Sequence, residues 1–198
     1  WTSVKGEPHI IKRLHVGETY ILREEFAPYG YLKAEEVEFT ITDTAEIQKV
    51  EMKDDVPIGR IIINKKGEFL SEVSWNDMVA GAMDSIWGYV TGSLKDVTFE
   101  IYAREDIKAA DGESDDYYKK DELVATIKTD ELGIARTDDL PLGKYYVVEK
   151  ETADGFVLDG EPRDIDLTYR DQNTPVVTYD EDWQNNRQKA KVTVVKKE

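Results

Sequence analysis

Apolar and polar residues alternate with a period of two along most of this chain. The alternation is clearest at 19–24, 36–42, 59–65, 97–102, 123–128, 145–149 and 191–196. It is typical of β-strands that pack one face on a core. Turn sequences such as Asp-Glu-Leu-Gly and Thr-Ala-Asp-Gly separate the strands. Many short strands divided by such turns predict an all-β sandwich.

One segment, 74–89, departs from this pattern and reads SWNDMVAGAMDSIWGY. Its apolar residues fall near helical spacing, although Gly81 and Gly88 weaken a helix. We therefore predict a short helical or loop insertion near 74–89. Two interpretations of it stay open: a lid that packs on the sandwich, or an aromatic patch that binds a partner through Trp75 and Trp87.

The chain also contains an internal repeat. Glu-x-x-Ala-Pro-x-Gly-Tyr at 24–31 recurs as Glu-x-x-Thr-Ala-x-Gly-Phe at 149–156. A repeat of this length predicts tandem copies of one structural module. Two further pairs of segments recur in the same order: Met-x-Asp at 52–54 with Trp-x-Asn at 183–185, and Gly-x-Ile-x-Ile-x-Lys at 59–65 with Ala-x-Val-x-Val-x-Lys at 190–196.

The repeat predicts three parts. Residues 1–57 are the C-terminal part of a first module, and 58–189 form a complete second module. Residues 190–198 are the first strand of a following repeat or a terminal strand. The chain starts at Trp1, which suggests a fragment or a processed product.

The composition of the chain argues against several classes of function. The 198 residues carry 42 acidic and 26 basic side chains, for a net charge of −16, which argues against nucleic acid as a partner. The absence of cysteine excludes disulfides and thiol chemistry. We expect neither a signal peptide nor a membrane-inserted segment within these residues. His9 and His15 lack a third ligand, and the acidic loop at 111–116 lacks calcium-loop spacing, so we predict no metal and no cofactor.

The ordered motifs resemble tandem Cna B-type (SpaA-like) domains of Gram-positive cell-surface adhesins and pilins. The resemblance implies transthyretin/prealbumin-like (Ig-like) β-sandwich modules in tandem. It rests on GRIIINK at 59–65, LKDVTFEIYAREDI at 94–107, ELVATIKTDELG at 122–133, LPLGKYYVVEKETADGFVLD at 140–159 and NNRQKAKVTVVK at 185–196.

The resemblance also implies an autocatalytic isopeptide bond in the complete module. Carried over to this sequence, it joins Lys65 to Asn185, and Glu149 promotes the reaction. In the first module the matching residues are Glu24 and Asp54. The lysine of that module is missing from the chain, unless Lys196 of another molecule supplies it in trans.

The residues themselves fit this chemistry but leave alternatives open. A lysine amine attacks only when neutral, so it must be buried among apolar groups. A buried glutamic acid can donate a hydrogen bond to a carbonyl oxygen and pass a proton to the leaving group. However, Lys65 at a strand end and Glu149 in a charged run are also typical of solvated residues. Asn186 follows Asn185 directly, so an acceptor one position further on stays open as an alternative.

The sequence therefore predicts a non-enzymatic structural stalk module of an extracellular, cell-wall-anchored surface protein. Its expected partners are neighbouring repeats of the same protein. The alternative is an adhesin module that contacts a host matrix protein or glycan through Trp75 and Trp87. A hydrolase is disfavoured because no convincing pair of catalytic carboxylates and no Gly-x-Ser-x-Gly sequence is present.

Overall fold

The computed structural model of this chain is built from strands. It describes the backbone of residues 1–79, 82–190 and 195, and their side chains outside 73–87. Within this part every regular element is a strand, which confirms the all-β prediction, and no helix is long and apolar enough to cross a membrane. The strands are β1 (Thr19–Leu22), β2 (Val37–Thr40), β3 (Ile58–Val79), β4 (Ala82–Ser93), β5 (Thr98–Ala103), β6 (Leu123–Lys128), β7 (Ile134–Arg136), β8 (Leu140–Pro141), β9 (Lys144–Glu151), β10 (Arg163–Asp166) and β11 (Val176–Asn185).

Unit 1 comprises residues 1–56 together with 171–173. Its sheet consists of β1 and β2, which pair antiparallel from Thr19 with Thr40 to Leu22 with Val37. Gln172 belongs to this unit because its side-chain Oε1 accepts a hydrogen bond from the backbone N of Ala27 at 2.8 Å.

Unit 2 comprises residues 57–170 and 174–198, and its described strands form two sheets. The first sheet has the order β10-β9-β5-β6 and is antiparallel. The second sheet is centred on β3, which pairs in parallel with β11 and antiparallel with β4, β7 and β8. Phe99 of the first sheet meets Trp183 of the second edge to face, with ring centroids 5.3 Å apart, so the two sheets enclose one core.

Alternation along the strands builds that core. In β5 and β9 every second residue is buried, as the sequence predicted. Because neighbouring side chains of a strand point to opposite faces, each strand contributes one apolar row. The buried apolar residues are Ile61, Ile63, Leu94, Val97, Phe99, Ile101, Ala103, Ile107, Ala135, Leu140, Tyr145, Val147, Phe156, Ile165, Leu167, Val177 and Trp183.

The prediction of a helical or loop insertion near 74–89 is wrong. The segment continues β3 and returns as β4, and the two strands pair from Lys66 with Ser93 to Val79 with Ala82. Pairing across the hairpin satisfies the backbone N–H and C=O groups, and Gly88 costs a helix about 1 kcal/mol. The near-helical spacing of the apolar residues therefore does not decide the local structure.

A glycine turn before β7 fixes the position of Lys65 in β3. Gly133 has a positive φ of 74°, and its carbonyl oxygen accepts a 2.7 Å hydrogen bond from the backbone N of Lys65. A Cβ at this position would lie 2.5 Å from the carbonyl oxygen of Lys65. Only glycine combines this conformation with this close approach.

We expect Gly133→Ala to destabilise unit 2 more than the control Gly112→Ala. Both glycines have positive φ, which costs an alanine about 1–2 kcal/mol, but nothing lies within 4 Å of a Cβ at Gly112. The clash at Gly133 should add about 1–3 kcal/mol. Denaturant unfolding midpoints measure the difference, and equal midpoints would contradict this account of the turn.

Candidate functional site

Three of the buried polar side chains of unit 2 are almost completely enclosed. They belong to Lys65, Glu149 and Asn185, each with 2 % or less of its surface exposed. Burial of an amine and a carboxyl group in an apolar core is costly unless they are paired and hydrogen-bonded. These three residues therefore mark the part of the core where packing alone does not explain the sequence.

Strand geometry brings the three side chains together. Lys65 follows Ile61 and Ile63 on the buried face of β3, and the parallel register places it opposite Trp183 of β11. Asn185 lies two residues after Trp183, on the same face of β11. Glu149 extends inward from β9, in the opposing sheet.

The carboxyl group of Glu149 connects the other two residues. Lys65 Nζ lies 2.5 Å from Glu149 Oε2 and 2.7 Å from Asn185 Oδ1. Asn185 Nδ2 donates to the second oxygen, Oε1, of Glu149. One carboxyl group thus contacts both the amine and the amide nitrogen, while the amine lies beside the amide carbonyl.

Thr152 is a member of this network that the sequence analysis did not single out. Its Oγ1 lies 2.8 Å from Asn185 Nδ2 and accepts a hydrogen bond from it. The internal repeat contains a difference that could have drawn attention to this residue: Thr152 of the second copy occupies the position of Ala27 in the first copy. With Glu149 and Thr152 both holding Nδ2, the amide is oriented with its carbonyl oxygen towards Lys65.

Aromatic rings form the walls around the amine. Lys65 Nζ lies 5.6 Å from the ring centroid of Phe99 and 5.7 Å from that of Trp183. The guanidinium of Arg163 covers Trp183 at 3.9 Å and is paired with Asp159 at 2.6 Å. These groups separate the site from solvent, and so strengthen the polar interactions within it.

Burial lowers the pKa of Lys65 below its ordinary value, because removal of water penalises the ammonium form. The hydrogen bond and charge of Glu149 oppose this effect without reversing it. The fold therefore favours a neutral, nucleophilic amine at Lys65. A neutral amine, a neighbouring carboxamide and a carboxyl group in contact with both are the reactants needed for amide exchange.

The other predicted site residues lie elsewhere. Asn186, the alternative acceptor, is exposed, whereas Asn185 is buried. Glu24 and Asp54 line a cavity of unit 1. The backbones of Trp75 and Trp87 lie in β3 and β4, and their side chains are outside the described part of the chain.

Lys196 and most of the predicted strand at 191–196 also fall outside the described residues. Among the residues that are described, no three His, Asp or Glu side chains are grouped as a metal site would require.

Comparison with protein families decides the assignment. The family model of SpaA, a prealbumin-like fold domain, matches residues 1–56 and 89–183. The chain belongs to the SpaA family. This confirms the resemblance to Cna B-type (SpaA-like) domains and the prealbumin-like fold class. No match was found among curated proteins.

The solved structures that are similar to this SpaA-family chain include the following three. The Bacillus anthracis TIE protein is 22 % identical over 86 % of this chain, with a TM-score of 0.48. GBS52, the minor pilin of Streptococcus agalactiae, is 13 % identical over 94 %, with a TM-score of 0.43. The Corynebacterium diphtheriae major pilin SpaA is 18 % identical over 66 %, with a TM-score of 0.40. The chain covers 25 %, 66 % and 31 % of their respective lengths.

The lowered pKa of Lys65 predicts a pH dependence of stability in the variant Glu149→Ala. Removal of Glu149 removes the opposing effect, so the pKa of Lys65 falls further below the value of about 10.4 in the unfolded chain. Between these two values the unfolded state binds more protons, and the free energy of unfolding rises with pH. We expect unfolding midpoints to increase between about pH 8 and pH 10.

The control is Glu149→Ala/Lys65→Met, which removes the titrating amine and should lack this increase. An identical pH profile in the two variants would show that the pKa of Lys65 is not lowered in the core.

Proposed function

We propose that this chain is a structural stalk module of a bacterial cell-surface adhesin or pilin. In this proposal, an autocatalytic amide bond between Lys65 Nζ and Asn185 Cγ stabilises unit 2. The observation that carries the bond is the position of Glu149, whose two carboxyl oxygens contact the attacking amine and the leaving amide nitrogen. Membership of the SpaA family supports the structural role.

The reaction starts from a neutral lysine and a protonated glutamic acid, which share one proton across the 2.5 Å contact. Lys65 Nζ attacks Cγ of Asn185, and the neighbouring Glu149 carboxyl group stabilises the positive charge that develops on Nζ. Glu149 then transfers a proton to Nδ2 and accepts one from Nζ. The C–Nδ2 bond breaks, the new C–Nζ bond remains, and one ammonia leaves.

In this proposal, the position of the Lys65 amine beside the Asn185 amide accounts for most of the acceleration of bond formation. The folded core holds the amine 2.7 Å from the carbonyl oxygen of Asn185. Well-oriented groups reach effective concentrations of about 10⁵–10⁸ M, which compensates for the poor reactivity of an amide. Because the product is part of the protein, each molecule reacts once, and the chain is not a turnover enzyme.

The bond would connect the first strand of unit 2 with its last. Lys65 and Asn185 are 120 positions apart in the sequence. By analogy with a disulfide that closes a loop of this length, the restriction of the unfolded chain contributes about 4–5 kcal/mol. A chain without cysteine obtains a permanent cross-link in this way, and reducing agents do not break it.

The proposal places the chain outside the cell, as part of a longer surface protein. Residues 1–57 would be the C-terminal part of one module, 58–189 a complete module, and 190–198 the start of another. Its nearest partners would then be neighbouring repeats of the same protein. Cell-wall anchoring would be a property of the longer protein.

We expect the intact mass of the purified, denatured chain to be one ammonia below the sequence value. Glu149→Gln, which preserves side-chain size, should restore the full mass and lower the unfolding free energy by about 4–5 kcal/mol. Asn185→Asp should change the mass deficit from one ammonia to one water.

The matched control is Glu151→Gln, on the same strand but exposed, which should keep the ammonia deficit. A wild-type chain at full sequence mass would contradict the amide bond, and the triad would then be a buried ion pair.

Thr152 should set the rate of bond formation. Thr152→Ala removes one hydrogen bond to the leaving nitrogen, worth about 0.5–1.5 kcal/mol, so we expect cross-linking to be about 2- to 10-fold slower. Thr152→Ser keeps the hydroxyl and should restore the rate. Mass spectra taken during cell-free synthesis follow the reaction, and equal rates for the alanine and serine variants would exclude this role.

A further inference from the structure

An arginine occupies an inward-facing position on one side of the sandwich in unit 2. In β10, Arg163 pairs with Val147 of β9, and Ile165 pairs with Tyr145, so both residues of β10 belong to the row that faces the core. Val147, Tyr145 and Ile165 are each 1 % exposed or less. Arg163 therefore lies where packing alone would favour an apolar side chain.

The guanidinium of Arg163 connects the two sheets. Its Cζ lies 3.9 Å from the ring centroid of Trp183 in β11, which belongs to the opposing sheet. Asp159, in the loop before β10, pairs with the guanidinium at 2.6 Å. The side chains of Arg163 and Asp159 are 35 % and 32 % exposed, whereas Trp183 is 1 % exposed. The ion pair thus forms a layer between the indole and solvent.

The indole of Trp183 is held by ring contacts. Its Nε1 is buried and, among the described residues, makes no hydrogen bond of normal geometry, although the Tyr179 hydroxyl lies nearby. The ring packs edge to face on Phe99, with centroids 5.3 Å apart, and carries the guanidinium of Arg163 on its solvent side. Of the aromatic side chains, tryptophan attracts a cation most strongly. Arg163 therefore contributes to the position of this ring.

The position of the indole controls how much water reaches the amine of Lys65. Trp183 lies opposite Lys65 in the parallel ladder of β3 and β11, with Nζ 5.7 Å from its ring centroid. Burial is the largest cause of the lowered pKa of Lys65. Displacement of the ring would admit water from this side, and water favours the ammonium form, which cannot attack an amide.

The charged groups that act on Lys65 come from three places in unit 2. Glu149 of β9 and Asp159 of the loop favour the ammonium form, and Arg163 of β10 disfavours it. Because the charges of Arg163 and Asp159 are opposite, they largely compensate each other at the amine. The pair therefore acts on the amine mainly through the position of the ring.

We propose that Arg163 is a positioning residue for the formation of the amide bond in unit 2. Held by Asp159, its guanidinium fixes the indole of Trp183 beside the amine and keeps water out of the site. The inference rests on the proposed function, in which Lys65 and Asn185 form the bond with loss of one ammonia. Arg163 itself transfers no proton.

The next residue of β10 provides a matched control. Asp164 pairs with Tyr146 in the ladder of β9 and β10, and so lies on the outer face of the sheet. There it pairs with Arg104 at 3.1 Å, and Arg104 Cζ lies 5.4 Å from the ring centroid of Tyr146. The same three kinds of side chain thus meet on the face away from the core. Loss of Arg104 removes comparable interactions without exposing the site.

We expect Arg163→Gln to slow bond formation by about 2- to 30-fold, the factor that one cation–π contact contributes. Arg163→Lys keeps the cation and should restore part of the rate, whereas Arg104→Gln should leave the rate unchanged. Mass spectra taken during cell-free synthesis follow the loss of ammonia, and circular dichroism checks that each variant folds. Equal rates for Arg163→Gln and Arg104→Gln would overturn the proposal.

A second measurement does not require the bond. In the Glu149→Ala chain, which forms no bond in this proposal, the lowered pKa of Lys65 predicts unfolding midpoints that rise between about pH 8 and pH 10. Adding Arg163→Gln should bring this pKa closer to the unfolded value of about 10.4 and make the rise smaller. Adding Arg104→Gln should preserve the rise. If Arg163→Gln lowered the midpoints equally at every pH, its role would be structural only and the proposal would be overturned.

The two measurements separate this inference from the proposed function. A wild-type chain at its full sequence mass would overturn both, since there would be no bond whose formation Arg163 could assist. An ammonia deficit in the wild type, together with equal rates and equal pH profiles for the Arg163→Gln and Arg104→Gln variants, would overturn this inference alone.

Discussion

The contact between the Glu149 carboxyl group and the buried Lys65 amine is the interaction on which unit 2 depends. The amine lies among Ile63, Phe99 and Trp183, where an isolated ammonium ion would be strongly destabilised. Pairing with Glu149 within hydrogen-bond distance makes the burial tolerable, because together the two groups carry no net charge. The two residues of the pair therefore depend on each other: removal of either one alone would leave the other buried in the core without its partner.

The two copies of the repeat show how much of this centre depends on neighbouring strands. The carboxyl group, the amide or acid acceptor and their apolar neighbours recur in both copies. In unit 2, β3 adds the amine and β5 adds the aromatic wall. In unit 1 the same positions line an open cavity. The repeat therefore separates the site residues that recur in both copies from those that β3 and β5 add in unit 2.

The sequence predicted most of the fold because the period-two alternation is a local property. It placed Lys65 with Ile61 and Ile63 on one face, and Glu149 with Tyr145 and Val147 on another, and these faces are buried. It did not predict the hairpin of β3 and β4, because strand pairing between distant residues overrides helical spacing. Thr152 was missed for a similar reason, since its role appears only when β11 brings Asn185 beside it.

The parallel pairing of β3 and β11 has a mechanical consequence. Unit 2 begins just before β3, and β11 is its last strand in the described residues. The start of β3 and the end of β11 lie at opposite ends of the paired strands. If the proposed bond joins Lys65 to Asn185, a pulling force would pass from one strand into the other through that bond. The intervening residues, about 400 Å of contour length when extended, would then carry no load. Such a module would transmit tension as an inextensible link, without yielding length to absorb a shock.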